Sequence, residues 1–313
     1  MEFSRIDVSE WLVSDEEAVG ANEKYWLRDP IAPAEPANLW LFKPVTVHKN
    51  GHSQGGDWAE LIAGELARVL TVPSAEIRLA SRSGRDGTLS RNVRPSMEWD
   101  RHTGAIWMDS VRSIAYRARS SADKSAATSG YTLSAVATSL EGLGAPPQAA
   151  DPVGAFDAFG VFAGYLVLDA LISNRDRHEQ NWSVLRHALG TEPARLAAAY
   201  DNEGGLGYNL TDEFRERVLA EPSRFAKFVS GGTAWRFDWQ GRPLPTLTAT
   251  AIEAVRMLPS DMSHYWREQV ETLDEAIVQA IVDGVPGMSE AARRFAVNLV
   301  MANAKGIRDG FRD

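Results

Sequence analysis

The sequence predicts an α+β fold of two lobes, a small β-rich N-terminal lobe and a larger, mainly helical C-terminal lobe. Three observations lead there. The chain has 313 residues, enough for two lobes that share a cleft. Extended patterns bounded by prolines and turn residues cluster in its first third, whereas helical periodicity dominates after residue 155. Between them, residues 119–152 are rich in Ser, Ala, Gly and Pro, the composition of a connection. We place the boundary before that segment, near residue 100, giving lobes of residues 1–100 and 101–313.

Taken in order, residues 38–44 (NLWLFKP) read as a short buried strand that ends at a proline and carries one lysine, Lys43. After the Gly55-Gly56 turn, Asp57 is the expected N-cap of a helix in which Trp58, Leu61, Ile62, Leu66 and Val69 recur at helical spacing. Pro73 stops it, and residues 76–80 resume an extended pattern. An extended pair is expected within residues 88–108, around a turn at residues 100–104. A short helix is expected at 133–143, a buried one at 155–172, and further helices at 212–228, 262–282 and 289–308. Trp235 and Trp239 flank an expected hairpin, with core packing as their expected role.

Composition excludes several classes of function. A net charge of −9 and a pI near 5.3 repel a polyphosphate backbone, so no direct nucleic-acid binding is expected. Without cysteine there is no disulfide, thiolate metal site or cysteine nucleophile. The acidic first twenty residues lack a signal-peptide layout, and the longest apolar run, 161–172, already contains Asp169. A cytoplasmic protein with no membrane partner is expected. His48 and His52 lie four apart, but Asn50 and Gly51 break the helix that a metal pair at this spacing needs.

The chemistry-bearing stretch is residues 171–185, LISNRDRHEQNWSVL, where a buried helix runs into a strongly polar loop. Asp176 and Asn181 are five apart across that loop, one able to face a hydroxyl and the other to offer an amide oxygen to a cation. Residues 196–210, LAAAYDNEGGLGYNL, place Asp201 at the end of an apolar strand before a glycine-rich turn. Magnesium takes oxygen ligands in octahedral geometry, and Asn181 and Asp201 supply two. Phosphoryl transfer also needs positive charge over the phosphates, commonly a strand lysine held by a helix carboxylate. Lys43 with Glu60 or Glu65 has that layout. His178 is expected to brace the loop by hydrogen bonding.

Five segments in order resemble the HipA-like kinase family. VGANEKYW (19–26) resembles its phosphate-binding loop, LWLFKP its ATP-lysine strand, and DWAELIAGELARVLTVPSAEIRLA its following helix and strand. NRDRHEQN matches the catalytic loop N-x-D-x-H-x-x-N, and AAAYDN the metal-binding segment, typically P-x-Y-D in the family. The resemblance implies a protein-kinase-like bilobal fold and an enzyme, an ATP- and Mg2+-dependent serine/threonine kinase. It implies Asp176 as catalytic base, Asn181 and Asp201 as magnesium ligands, and Lys43 on the ATP phosphates with Glu60 as its helix carboxylate. Gly20, Ala21, Asn22, Glu23 and Lys24 would cover the phosphates. It also brings an antitoxin-like protein into view as a partner.

The phosphate loop begins near the start of the sequence, so the extra N-terminal subdomain of longer members is not expected. Glu17 aligns with a serine whose phosphorylation can inhibit family members, so that switch is not expected here. Arg91 to Val93 is a weak match to the family's hinge segment. The residues leave the acceptor open. A small-molecule or peptide-modifying kinase, or a catalytically silent nucleotide-binding scaffold, stands beside the protein-kinase reading.

Overall fold

The computed structural model describes residues 2–16, 23–49, 51–116 and 127–312. Gly20, Ala21 and Asn22 of the expected phosphate loop, together with Glu17, lie outside the described residues. The smaller lobe is built on a six-stranded sheet of β1 (Arg5–Asp7), β2 (Leu12–Glu16), β3 (Tyr25–Arg28), β4 (Leu39–Pro44), β5 (Ile77–Arg82) and β6 (Arg85–Arg91), in the order β1-β5-β6-β4-β3-β2. β1 and β5 run parallel and every other neighbouring pair antiparallel.

Strand alternation explains where the lysine goes. Trp40 and Phe42 point into a cluster with Val8, Leu27, Ala80 and Leu89, so Lys43 emerges on the opposite face of β4, toward the cleft. β4 is an inner strand, and Lys43 pairs in register with Thr88 of β6. The strands approach closely beside it. A Cβ on Gly87 would lie 2.2 Å from the Lys43 carbonyl oxygen, so glycine is required there.

Helix α1 (Gly56–Val69) packs its Trp58, Leu61, Ile62 and Leu66 face into the main core, in contact with β5 and β6. Its N-cap is Gly55 and not the expected Asp57. Asp57 lies two residues past the cap, inside the first turn, and its carboxylate pairs with Arg5 at 2.8 Å.

After two short helices, α2 (Gly104–Ser110) and α3 (Leu133–Ser139), the larger lobe is organised around α4 (Ala158–Ile172), all fifteen of whose residues are buried. Asp157 caps its start, accepting from the Gly160 N–H at 2.6 Å. The helix is apolar all round because it is surrounded, among others by α7 (Leu247–Arg256), α8 (Ser260–Glu271) and α10 (Glu290–Arg312). It stops at Ser173, which adopts a left-handed conformation at φ +56°. Asn303 of α10 donates to the freed Leu171 carbonyl at 2.9 Å, which fixes the chain's exit into the polar loop.

A second, antiparallel sheet follows, of β7 (Trp99–Thr103), β8 (Ser183–His187) and β9 (Arg195–Leu196). It departs from expectation. Residues 100–104 are not a turn, because β7 finds its partner in β8, more than eighty residues on, while β6 pairs inside the first sheet. Trp99 anchors that choice by packing with Leu185 and edge-on to His187. The expected helix at 212–228 is two, α5 (Asp212–Leu219) and α6 (Pro222–Ser230), since Pro222 can only begin a helix. That at 262–282 is likewise split into α8 and α9 (Glu275–Asp283), where Asp274 caps a new start. Residues 235–242 form no hairpin strands. Trp239 is buried in the core, as expected, and Trp235 is half-buried.

Candidate active site

Residues 174–181 and 200–204 lie against each other because of one buried arginine. Arg177 reaches the Asp169 carboxylate of α4 with Nε and Nη2, both at 2.8 Å. It also donates to the Asn181 carbonyl at 2.7 Å and to Asn202 Oδ1 at 2.7 Å. A single guanidinium thus ties together the helix, the polar loop and the segment after Asp201. Burial alone would lower the Arg177 pKa, but the paired Asp169 more than offsets this and raises it. Asn174 completes the brace, donating to Asp169 at 2.7 Å and accepting from the Asp176 N–H at 3.0 Å.

The glycine-rich turn allows the two segments to touch. A Cβ on Gly204 would stand 2.6 Å from Asn174 Oδ1, and one on Gly205 would stand 2.3 Å from the Ile172 carbonyl oxygen. Asp201 itself is held at φ +58°, a sparsely populated conformation for a residue with a side chain. The regular strand before it is short, ending at Leu196; residues 197–200 run on with a bridge from Ser74 to Ala199.

Lys43 reaches across the cleft to this segment. Its Nζ lies 2.5 Å from Asp201 Oδ1 and 3.1 Å from Glu203 Oε1. Glu60 of α1 is buried in the same cluster, and ligand oxygens of Glu60, Asp201 and Glu203 all lie within 4.8 Å of one another. Lys43 does not pair directly with Glu60 in this arrangement. The two closer carboxylates take the ammonium, and Glu60 Oε1 accepts instead from the Asn202 N–H at 3.0 Å. Glu60 Oε2 is buried without a hydrogen-bond partner. Glu65 faces away and pairs with Arg68 at 2.9 Å.

The electrostatics follow from crowding three carboxylates around one ammonium. Burial pushes Glu60 up to about 7 even though Lys43 opposes the shift. Partial burial would raise Asp201 as well, but Lys43 and Lys24 hold it well below the usual carboxylate range. Burial likewise opposes the charge on Lys43, and Asp201, Glu203 and Glu60 together raise its pKa well above the ordinary value. Glu23 and Lys24 line the cleft beside Lys43 and Glu203. Glu23 is engaged by Arg85 at 2.6 Å and by the Tyr25 hydroxyl.

On the other side of the brace, Asp176 is half-exposed at the cleft. Asn181 Nδ2 donates to the Asp176 carbonyl at 2.9 Å, which leaves the amide oxygen as the atom Asn181 can offer a cation. His178 Nδ1 accepts from the Gln180 N–H at 3.1 Å, a loop-bracing bond, so a neutral His178 carries its proton on Nε2. Burial, more than the neighbouring charges, lowers the His178 pKa. The Asp176 carboxylate is engaged by Arg236.

Sequence reasoning missed four of these residues. Asp169 carried a signal, since an acid in an otherwise apolar buried helix requires a cation, and the next loop offers two, Arg175 and Arg177. Glu203 stands two residues after Asp201, just before the glycine-rich turn, with no pattern of its own. Nothing local marks Arg236.

No protein-family model matches the sequence, and no curated protein matches it. Solved structures do match in shape. The chain superposes on the Helicobacter pylori proinflammatory kinase CtkA with a TM-score of 0.73 at 16% identity, covering 98% of this chain and 96% of that one. It superposes on Shewanella oneidensis HipA, from a toxin–antitoxin complex with HipB and operator DNA, with a TM-score of 0.53 at 12% identity, covering 96% of this chain and 68% of that one. The bilobal α+β kinase-like fold is therefore established, and the resemblance to HipA-like kinases holds at the level of fold. Among the described residues, no helix is long and apolar enough to cross a membrane.

Proposed function

We propose that the chain is an ATP- and magnesium-dependent phosphotransferase, a HipA-like serine/threonine protein kinase that moves the γ-phosphate of ATP to a hydroxyl. The observation that carries this reading is the 2.5 Å contact between Lys43 and Asp201, residues 158 apart in sequence, beside a loop that presents Asp176. Low-identity likeness supports the scaffold, and these side chains support the chemistry.

In this reading Lys43 binds the ATP phosphates, with Glu60 as the carboxylate available to it once phosphate oxygens compete for its present partners. Glu60 Oε2, buried and without a partner, fits that role. Residues Gly20, Ala21, Asn22, Glu23 and Lys24 cover the phosphates. The donor set fits magnesium: Asn181 offers an amide oxygen and Asp201 a carboxylate, both hard oxygen ligands, with Glu203 as a further carboxylate in the cluster. Magnesium, when bound, neutralises phosphate charge. Asp176 accepts a hydrogen bond from the acceptor hydroxyl and takes its proton as the hydroxyl oxygen bonds to the γ-phosphorus. The bond from that phosphorus to the bridging oxygen breaks, and ADP leaves. HipA's occurrence with HipB makes an antitoxin-like partner part of the proposal.

The test is to incubate the protein with γ-labelled ATP, magnesium and cell extract, then separate labelled protein from labelled small molecules. Label on protein is expected, and Asp176→Ala should lower transfer roughly 10²- to 10⁴-fold while nucleotide binding persists. Label confined to small molecules would redirect the acceptor assignment. Absence of label, or near-normal turnover in Asp176→Ala, would overturn the reading.

A further inference from the structure

Arg236, sixty residues beyond Asp176, donates from Nε to Asp176 Oδ1 at 2.7 Å, and its Nη2 meets the same oxygen. The arginine side chain is only 16% exposed, although the aspartate is 42% exposed, so the cation is the fixed member of the pair. Its guanidinium carbon lies 3.9 Å from the centroid of the Trp235 ring. Phe237 stacks on Tyr131 with centroids 4.6 Å apart. Asp238 accepts from the Gly130 N–H and donates its own N–H to the Tyr131 carbonyl, both at 2.8 Å.

Tyr131 in turn belongs to the frame of the polar loop. Its hydroxyl accepts from Trp182 Nε1 at 3.0 Å and donates to the Arg177 carbonyl at 3.2 Å. Arg236 and Asp176 are therefore carried by one bonded framework. A cation on a swinging segment would act as a latch, whereas this one is built into the wall of the cleft. Its two N–H groups occupy Oδ1, and the other oxygen, Oδ2, has His178 Nε2 at the longer distance of 3.8 Å.

We propose that Arg236 is a positioning residue for the base, holding the Asp176 carboxylate by Oδ1 so that Oδ2 meets the acceptor hydroxyl. The proposal rests on the reading of Asp176 as the base. A carboxylate on a half-exposed loop has free torsions, and a reacting group misplaced by about 1 Å loses up to roughly 10²-fold in rate. Two N–H groups of one planar guanidinium converging on Oδ1 restrict that freedom more than a single ammonium contact does.

The experiment compares wild type, Arg236→Ala and Arg236→Lys in steady-state transfer of labelled phosphate to the protein fraction. Arg236→Ala should lower kcat about 10- to 100-fold with the KM for ATP nearly unchanged, and added methylguanidinium should recover part of the loss. Arg236→Lys should recover little. An unchanged kcat, a raised kcat, or a change confined to the acceptor KM would each overturn the proposal.

A second measurement needs no catalysis. In nitrogen-15 NMR of the nucleotide-free protein, the Arg236 Nε–H should be protected from exchange and should shift in Asp176→Asn. A signal indifferent to Asp176→Asn shows that the pair does not form, and the positioning role fails by itself. A pair that forms in a wild-type protein unable to transfer phosphate overturns the base assignment, and the positioning role with it.

Discussion

Two buried cations in this molecule are treated differently. Arg177 has its charge matched by one carboxylate, Asp169, and its other donors reach the Asn181 carbonyl and Asn202 Oδ1. Both side chains are nearly inaccessible, at 3% and 2% exposure. Lys43 instead faces three carboxylates, of which Asp201 and Glu203 are about 30% exposed on the cleft, and Glu60 keeps a buried oxygen without a partner. The first arrangement is closed and can only hold the loop in place. The second is over-supplied with negative charge and open on one side, so its pairings are free to exchange for the phosphate and metal of the proposed reaction. Structure and chemistry are thus divided between two charge clusters only a few residues apart.

The sharpest way to break this comparison is to remove each cation in turn. Arg177→Met leaves Asp169 charged and buried without a partner, and should cost about 3–5 kcal/mol in urea denaturation. Lys43→Met should cost less, about 1–2 kcal/mol, because Asp201 and Glu203 can be met by water and burial already draws Glu60 toward its protonated form. It should nonetheless abolish tight nucleotide binding. Equal stability losses would mean that both cations are structural.

A smaller effect separates the two expected metal ligands. Asp201→Ala should weaken magnesium-dependent binding of a nonhydrolysable ATP analogue by roughly tenfold or more, and Asn181→Ala by less, since a carboxylate opposes the cation's charge and an amide only its dipole. Calorimetry with and without magnesium measures both. Equal nucleotide affinity in wild type and Asp201→Ala would remove Asp201 from the metal set.

The smallest effect concerns pH. Glu60 titrates near 7 in the folded protein against an ordinary value of 4.5, so the folded state binds the proton more tightly than the unfolded one. Its contribution is most favourable below pH 4.5 and is lost as pH rises through 7, a change of roughly 3 kcal/mol. Asp201 works in the opposite direction, its contribution being present above its ordinary value and lost as pH falls below it. Stability of the metal-free protein should therefore decline between pH 5 and 8, and Glu60→Gln should flatten that decline. Parallel pH profiles for the two proteins would show that Glu60 is not the titrating group.

The sequence by itself determined the elements whose cause is local. Alternation across Trp40 and Phe42 set the face of Lys43, helical spacing set the buried side of α1, and an all-apolar run marked α4 as central. Segment order and the two polar motifs around Asp176 and Asp201 were enough to indicate the kinase-like fold that the superpositions establish. Tertiary structure decided what depends on partners far along the chain. It paired β7 with β8, turned Glu60 toward Asn202, gave Lys43 to Asp201 and Glu203, and set Arg236 against Asp176. None of these follows from periodicity, because a strand edge or a polar side chain pairs with whichever partner lies nearest in space. In a folded chain that neighbour is fixed by the packing of whole elements, here between residues as far apart in sequence as Lys43 and Glu203.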